Sequence, residues 1–345
     1  MSQTPGNDIA GWAERLRQGD RRALARAITC VENGEAPAAA LLSALYPCGG
    51  HAHVIGVTGA PGTGKSTLVN ALARAYRRRG LTVGILAVDP SSPFTGGAIL
   101  GDRLRMRDLA GDAGVFVRSM ATRGSTGGLS RMAADAVHLL DAAGYQRIFI
   151  ETVGAGQDEV EVARLAHTII VVEAPGLGDD IQAIKAGILE TASILVVNKA
   201  DREGAEQTIA SLRMMLDLQH PEQATVSHHG TLMAIAAATP EAPGRWRPPL
   251  LAAVATEGRG ADEIIDAIEA HRLYLTTTPE GAGLRARRAE IELGHALDEA
   301  LRHLLAQRVA REEYVRLLEE VIDRRVDPRS AAEQLIRCLC SPGES

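Results

Sequence analysis

The chain has 345 residues, 46% hydrophobic and 23% charged, enough to bury a large core in one main domain with helical additions. A net charge of −6 with three Phe and two Trp argues against a nucleic-acid or membrane partner, since those surfaces call for clustered Lys and Arg or for stacking rings. No apolar run approaches the roughly 20 residues of a membrane span, and residues 1–50 lack the basic-then-apolar layout of a signal peptide, so a soluble cytoplasmic protein is expected.

Residues 8–45 carry helical periodicity. Trp12, Leu16, Leu24, Ala27, Ile28 and Val31 recur at three-to-four spacing, and Gly49-Gly50 closes the zone. This gives an N-terminal helical extension over 1–50. From 53 to 280 short apolar runs alternate with amphipathic stretches. The segments 53–58, 83–88, 115–117, 147–150, 168–172, 194–197 and 250–254 read as strands. That alternation predicts an α/β domain over 51–280, a mostly parallel sheet flanked by helices.

The first strand runs into Gly59-Ala60-Pro61-Gly62-Thr63-Gly64-Lys65-Ser66-Thr67, a complete phosphate-binding loop opening a helix. Its glycines let successive backbone N–H groups turn toward phosphate oxygens, where the helix N-terminus adds partial positive charge. Lys65 reaches the β/γ-phosphates and the Ser66 hydroxyl is suited to Mg2+. The loop therefore implies a nucleoside triphosphate.

Next along the chain, strand 83–88 delivers Asp89 at its carboxyl end, placed to meet Mg2+ or its waters. A glycine-rich loop from Thr95 ends in Asp102, which reads either as a second metal-shell or water-positioning acid or as a helix N-cap. The strand over 147–150 delivers Glu151, and Gly154 follows with an N–H free for a γ-phosphate. This has the form of a Walker B carboxylate and its switch glycine. Gln157 beyond it either orients the attacking water or is a surface residue at a helix start. A third acidic glycine loop, Glu173-Ala174-Pro175-Gly176-Leu177-Gly178-Asp179-Asp180, precedes a helical stretch with Gln182 and Lys185.

The strand over 194–197 delivers Asn198-Lys199-Ala200-Asp201. The Asp201 carboxylate can accept from both the ring N–H and the exocyclic amine of guanine, a donor pair that adenine lacks. The Lys199 stem can lie along the base and Asn198 can tie this loop to the phosphate loop. The tetrad thus favours GTP and GDP over ATP as ligands. Residues 219–249 read as a long surface connection around a short helix, with His228-His229 solvated rather than metal-bound. After the last strand, Val254-Ala255 stands before Thr256-Glu257-Gly258-Arg259-Gly260 as a base-side loop assigned by its backbone.

The final zone, 281–345, carries two apolar stripes: Leu293, Leu297, Leu301, Leu304 and Leu305, then Tyr314, Leu317, Leu318, Val321 and Ile322. Two helices are expected here, either folding back on their own sheet or pairing with a second subunit. Cys30, Cys48, Cys338 and Cys340 form no disulfide framework and no CxxC pair, and the CxC at 338–340 reads as ordinary thiols.

The long loop motifs carry a resemblance. Val88-Asp89-Pro90-Ser91-Ser92-Pro93, Gly96-Gly97-Ala98-Ile99-Leu100-Gly101-Asp102-Arg103, Glu151-Thr152-Val153-Gly154-Ala155-Gly156-Gln157 and the run from Ala174 to Lys185 resemble the methylmalonyl-CoA mutase-associated GTPases of the MeaB/ArgK type. The similarity extends over roughly residues 8 to 300, in order and spacing. It implies a P-loop GTPase of the dimerising metallochaperone-like class, a homodimer with a C-terminal helical dimerisation segment. It also implies that Asp89, Asp102 and Glu151 are the Mg2+ and catalytic-shell carboxylates, and that 176–185 is a switch. The implied partner is an adenosylcobalamin-dependent acyl-CoA mutase, which owns the adenosylcobalamin, with GTP hydrolysis gating cofactor loading or expulsion of a damaged cofactor. The chain departs from the family in Lys185-Ala186, where two lysines are usual, in Thr126 before the paired glycines, and in Val254-Ala255, where Ser-Ala is expected. Two rivals remain: a kinase, which needs an acceptor pocket, and a nickel or cobalt insertase, which needs Cys or His ligands near the nucleotide loops.

Overall fold

Seven apolar runs form one wholly parallel sheet. They are β1 (His53–Thr58), β2 (Val83–Asp89), β3 (Val115–Ala121), β4 (Arg147–Thr152), β5 (Thr168–Glu173), β6 (Ile194–Asn198) and, after a separate antiparallel hairpin of β7 (Val226–His228) and β8 (Thr231–Met233), β9 (Leu250–Ala253). The order across the sheet is β3-β2-β4-β1-β5-β6-β9. The structure, a computed structural model, describes residues 8–89, 109, 111–121, 128–152, 165–176, 191–219, 226–228, 231–233 and 246–340. The strands are near-continuous apolar runs because helices cover both faces. On one face Leu86, Ile148, Ile150, Val171 and Leu195 pack with α1 (Ile9–Arg17), α2 (Arg21–Glu32), α3 (Pro37–Leu45), α5 (Gly128–Ala142) and α6 (Ala205–Gln219). On the other, Ile55, Val57, Ile85, Phe149, Ile170 and Val196 pack with α4 (Lys65–Arg78) and α7 (Ala261–Thr277).

The N-terminal helices belong to the first of these cores. Asp8 caps α1 and Asp20 caps α2, each carboxylate accepting from backbone N–H groups of the first turn. Trp12, Leu16, Leu24, Ala27, Ile28 and Val31 are all buried, and the Trp12 indole N–H donates to Ala23 O at 3.1 Å. The passage from α3 into β1 is held by one carboxylate: Asp141 of α5 accepts from the N–H groups of Gly50, His51 and Ala52 at 2.5, 3.2 and 2.8 Å.

At the amino ends of the strands a polar group closes the sheet. Glu269 of α7 accepts two hydrogen bonds from Arg147 at 2.8 Å each, one from Arg272 at 2.8 Å and one from the Tyr76 hydroxyl at 2.9 Å. Burial opposes its charge, yet the bonds from Arg147 and Arg272 hold its carboxyl below the ordinary range. Against the same helix, His53, Thr168 and His271 form a hydrogen-bonded row.

The chain divides into two compact units, Met1–Thr277 and Thr278–Ser345. The second holds three helices rather than the two expected: α8 (Pro279–Arg308), α9 (Arg311–Ile322) and α10 (Pro328–Cys340). The third has its own start signal in Asp327-Pro328, where the Asp327 carboxylate accepts from Arg329 N and Ser330 N at 3.0 Å each. Of the two apolar stripes, Leu317 is buried, but Leu293 and Ile322 are 71% and 70% exposed within the single chain. Of the connection over 219–249, the described part holds the β7–β8 hairpin, so His228 sits in a strand, and the rest lies outside the described residues. Among the described residues no helix is long and apolar enough to cross a membrane.

Candidate nucleotide site

Because all seven strands run the same way, the loops after β1, β4, β5, β6 and β9 emerge at one edge of the sheet, where open α/β sheets bind ligands. The chain turns from β1 into α4 through residues 59–64, with Gly59, Gly62 and Gly64 at φ of 140°, 83° and 93°. Two of these glycines are also hemmed in. A Cβ on Gly59 would lie 2.1 Å from the Val172 carbonyl oxygen of β5, and one on Gly64 would lie 2.5 Å from Asn198 Nδ2. Thr63 braces the loop internally, its buried hydroxyl donating to Ala60 O at 2.9 Å. The Lys65 ammonium, buried at the start of α4, donates to Gly59 O at 2.6 Å and to Ala60 O at 3.1 Å.

Ser66, in the same first turn, donates its hydroxyl proton to Glu151 Oε1 at the carboxyl end of β4. Both side chains are buried. A hydroxyl that gives its proton to a carboxylate turns its lone pairs outward, so the pair forms an all-oxygen donor set suited to a hard cation such as Mg2+.

The loop after β6 is joined to the phosphate loop by two side chains. Asn198 Nδ2 donates to Thr63 O at 2.8 Å, and Lys199 Nζ donates to Gly62 O at 2.6 Å. Lys199 takes a left-handed φ of 57°, which an Asn-Lys turn must tolerate to aim both side chains back at residues 62–63. The other end of the Asn198 amide accepts from Ala255 N at 3.1 Å, while Val254 N donates to Arg259 O at 3.0 Å and closes a tight loop over 254–259. Asp201, three residues after Asn198, stands exposed. One buried amide therefore links three loops that are far apart in the chain.

The structure thus brings together residues 59–67, Glu151, Asn198, Lys199, Val254 and Ala255. The backbone of Asp89 ends β2 opposite Ala121, and its side chain lies outside the described residues. Asp102, Gly154, Gln157, Asp179, Asp180 and Lys185 also lie outside them. Two buried hydroxyls pass unnoticed in the sequence because Thr is an ordinary strand residue. Thr58 and Thr152 end β1 and β4 with no hydrogen-bond partner among the described residues. Among those residues no group of three or more His, Cys, Asp or Glu is placed to hold a metal ion.

The profile of the family described as methylmalonyl Co-A mutase-associated GTPase MeaB matches residues 24–312. A Pyrococcus horikoshii protein provisionally named as a GTPase is 44% identical over 94% of this chain and 96% of its own length. GTPase ArgK of Escherichia coli is 38% identical over 95% of each chain. The mouse methylmalonic aciduria type A homologue, named as mitochondrial, is 30% identical over 83% of this chain and 65% of its own length. Among solved structures, a chain titled as a LAO/AO transport system kinase superposes with a TM-score of 0.67 at 30% identity, covering 99% of this chain and all of that one.

Proposed function

From its place in the methylmalonyl-CoA mutase-associated GTPase family, to which the chain belongs, we propose that it binds GTP and GDP with Mg2+, hydrolyses GTP, and serves as chaperone to an adenosylcobalamin-dependent acyl-CoA mutase. The observation that carries the nucleotide part is the Asn198 amide, which holds the guanine-side tetrad and the 254–259 loop in register with the phosphate loop. In this reading Asp201 accepts the two guanine donors, and the backbone N–H groups of residues 62–67 surround the phosphates. Lys65 exchanges its loop carbonyls for phosphate oxygens. Ser66 and Glu151, with Asp89 and Asp102, would hold Mg2+, which when bound neutralises charge on the β- and γ-phosphate oxygens. Glu151 keeps the Ser66 oxygen lone pairs turned toward that ion by accepting the hydroxyl's hydrogen bond. Gly154 and Gln157 serve the γ-phosphate and the attacking water.

A GTPase alters a mutase only if its GTP and GDP states bind the mutase with different free energies. In this reading the segments 89–102, 151–157 and 174–185 serve the γ-phosphate and Mg2+, and we assign the partner contact to them. Hydrolysis by the protein alone is expected to be slow and to rise with the cognate mutase. The test measures released phosphate and nucleotide affinity with and without each adenosylcobalamin mutase of the source organism. Glu151→Ala should remove most Mg2+-dependent turnover. No change in rate or affinity with any mutase would leave a GTPase with another client, and phosphate transferred to a second substrate instead of to water would favour a kinase.

We further propose a homodimer formed through the second unit, because the exposed leucines of α8 and the Tyr314 and Ile322 side chains of α9 are a large apolar surface to leave in water. Light scattering should show the full chain at twice its single-chain mass and a chain ending at Thr277 as a monomer. A dimer that survives this truncation would place the contact in the first unit.

A further inference from the structure

At the carboxyl ends of the strands, on the face of the sheet turned away from α4, one rung differs from its surroundings. The register sets Met120 beside Val88, Val88 beside Thr152, Thr58 beside Val171 and Val171 beside Leu195. Val57 pairs with Glu151, so the next residues along, Thr58 and Thr152, stand opposite each other on β1 and β4. The four outer members of this rung are buried apolar residues of one core. The two central members are threonines, 2% and 4% exposed. Alternation along the strands gives the same face, since Val54, Ile148 and Ile150 belong to that core, whereas Ile55, Val57 and Phe149 pack on the side of α4.

Valine would fill either place with the same branched shape and no polar atom. Neither threonine hydroxyl has a hydrogen-bond partner among the described residues, and a buried hydroxyl left without one is less stable than an apolar group in its place. A direct bond between the two would need their oxygens about 2.8 Å apart, whereas neighbouring strands lie about 4.8 Å apart. That spacing suits a bridge. A water that bonds two oxygens at about 2.8 Å each, with a tetrahedral angle between them, spans about 4.6 Å. A metal ion is a poorer fit, because two neutral oxygens among apolar side chains would leave its charge unmatched.

We propose that Thr58 and Thr152 together bind one buried water, which joins the strand that opens the phosphate loop to the strand that carries Glu151. Thr58 stands immediately before Gly59, and Thr152 immediately after Glu151. Each hydroxyl both donates and accepts, so the water takes a hydrogen bond from one and gives a hydrogen bond to the other. Lys65 and Ser66 open α4 on the opposite face of the sheet, so this site is separate from the groups described above for phosphate and metal.

Thermal melts of full-length Thr58→Val, Thr152→Val and the double variant, all without nucleotide, test the site whatever the protein's activity. Removing one hydroxyl strands the other, so each single variant should melt about 2–4 °C lower than the parent. The double variant makes the whole rung apolar and should return to within about 1 °C of the parent or exceed it. Two patterns overturn the proposal. Rises in both single variants that add in the double would mean that nothing holds the hydroxyls, and losses that add would mean that each has a partner of its own. A crystal structure of the unaltered chain, at a resolution that shows ordered water, decides the matter even if a variant fails to fold. Density within hydrogen-bond distance of both hydroxyls is expected, and either no density between them or a direct bond from one hydroxyl to the other would overturn the water site.

Discussion

Gly59→Ala is expected to abolish nucleotide binding and lower the melting temperature by about 10 °C, whereas Gly62→Ala three residues later should cost about 1–2 kcal/mol and leave binding measurable. Both glycines have positive φ, so both alanines carry backbone strain. The difference is what surrounds them. The added methyl at Gly59 would stand 2.1 Å from the Val172 carbonyl oxygen, with Val172 C and N at 3.0 and 3.1 Å. These are backbone atoms of β5, which is paired to β1, so relief would have to open the β1–β5 ladder. At Gly62 a Cβ meets nothing within 4 Å. Thermal melts and GDP titration of the two variants check this, and equal losses would mean that φ alone, not the approach of β5, governs the loop.

Asp201→Asn is expected to reverse base choice, weakening GTP by about a thousandfold while xanthosine triphosphate becomes the better ligand. The wild-type carboxylate is proposed to accept from the ring N–H and the amine of guanine. An amide in its place still accepts from the ring N–H but turns its NH2 toward the second position, which suits the oxo group of xanthine. The substitution should act on specificity alone, because the loop is held by Asn198 and Lys199 through Thr63 O, Ala255 N and Gly62 O, none of which involves Asp201. Competition titration with GTP, ATP and xanthosine triphosphate measures it. Equal displacement by ATP and GTP in the parent would remove the guanine assignment.

Much of this site was legible because it demands unusual backbone. The glycines at 59, 62 and 64 are needed where φ is positive, and the buried parallel strands leave plain apolar runs in the sequence. The base-side loop was harder to read for a physical reason. Ala255 contributes a main-chain N–H to Asn198, so its side chain carries no signature of the role. The third helix of the second unit was missed although Asp327-Pro328 announces it and Ala331, Leu335, Ile336 and Leu339 recur at helical spacing. The cluster at the amino ends of the strands was invisible for a different reason. His53, Arg147 and Thr168 read as polar strand boundaries, and their partners Glu269 and His271 come from a helix made far later in the chain.

The bond from Ala255 to Asn198 also bears on how the molecule comes into being on the ribosome. Central strand β1 pairs with β4 and β5, both synthesised long after it, so the phosphate loop emerges with neither neighbour available. Even when β6 has been added, the Asn198 amide lacks its acceptor's partner until the 254–259 loop has left the exit tunnel. The helices α1–α3, made first and rich in local contacts, are in place to shelter one face of the growing sheet during that wait. A nascent chain therefore acquires its nucleotide site near the end of the first unit's synthesis and in a single closing step, and chains released before Ala255 carry the loop's sequence without its grip.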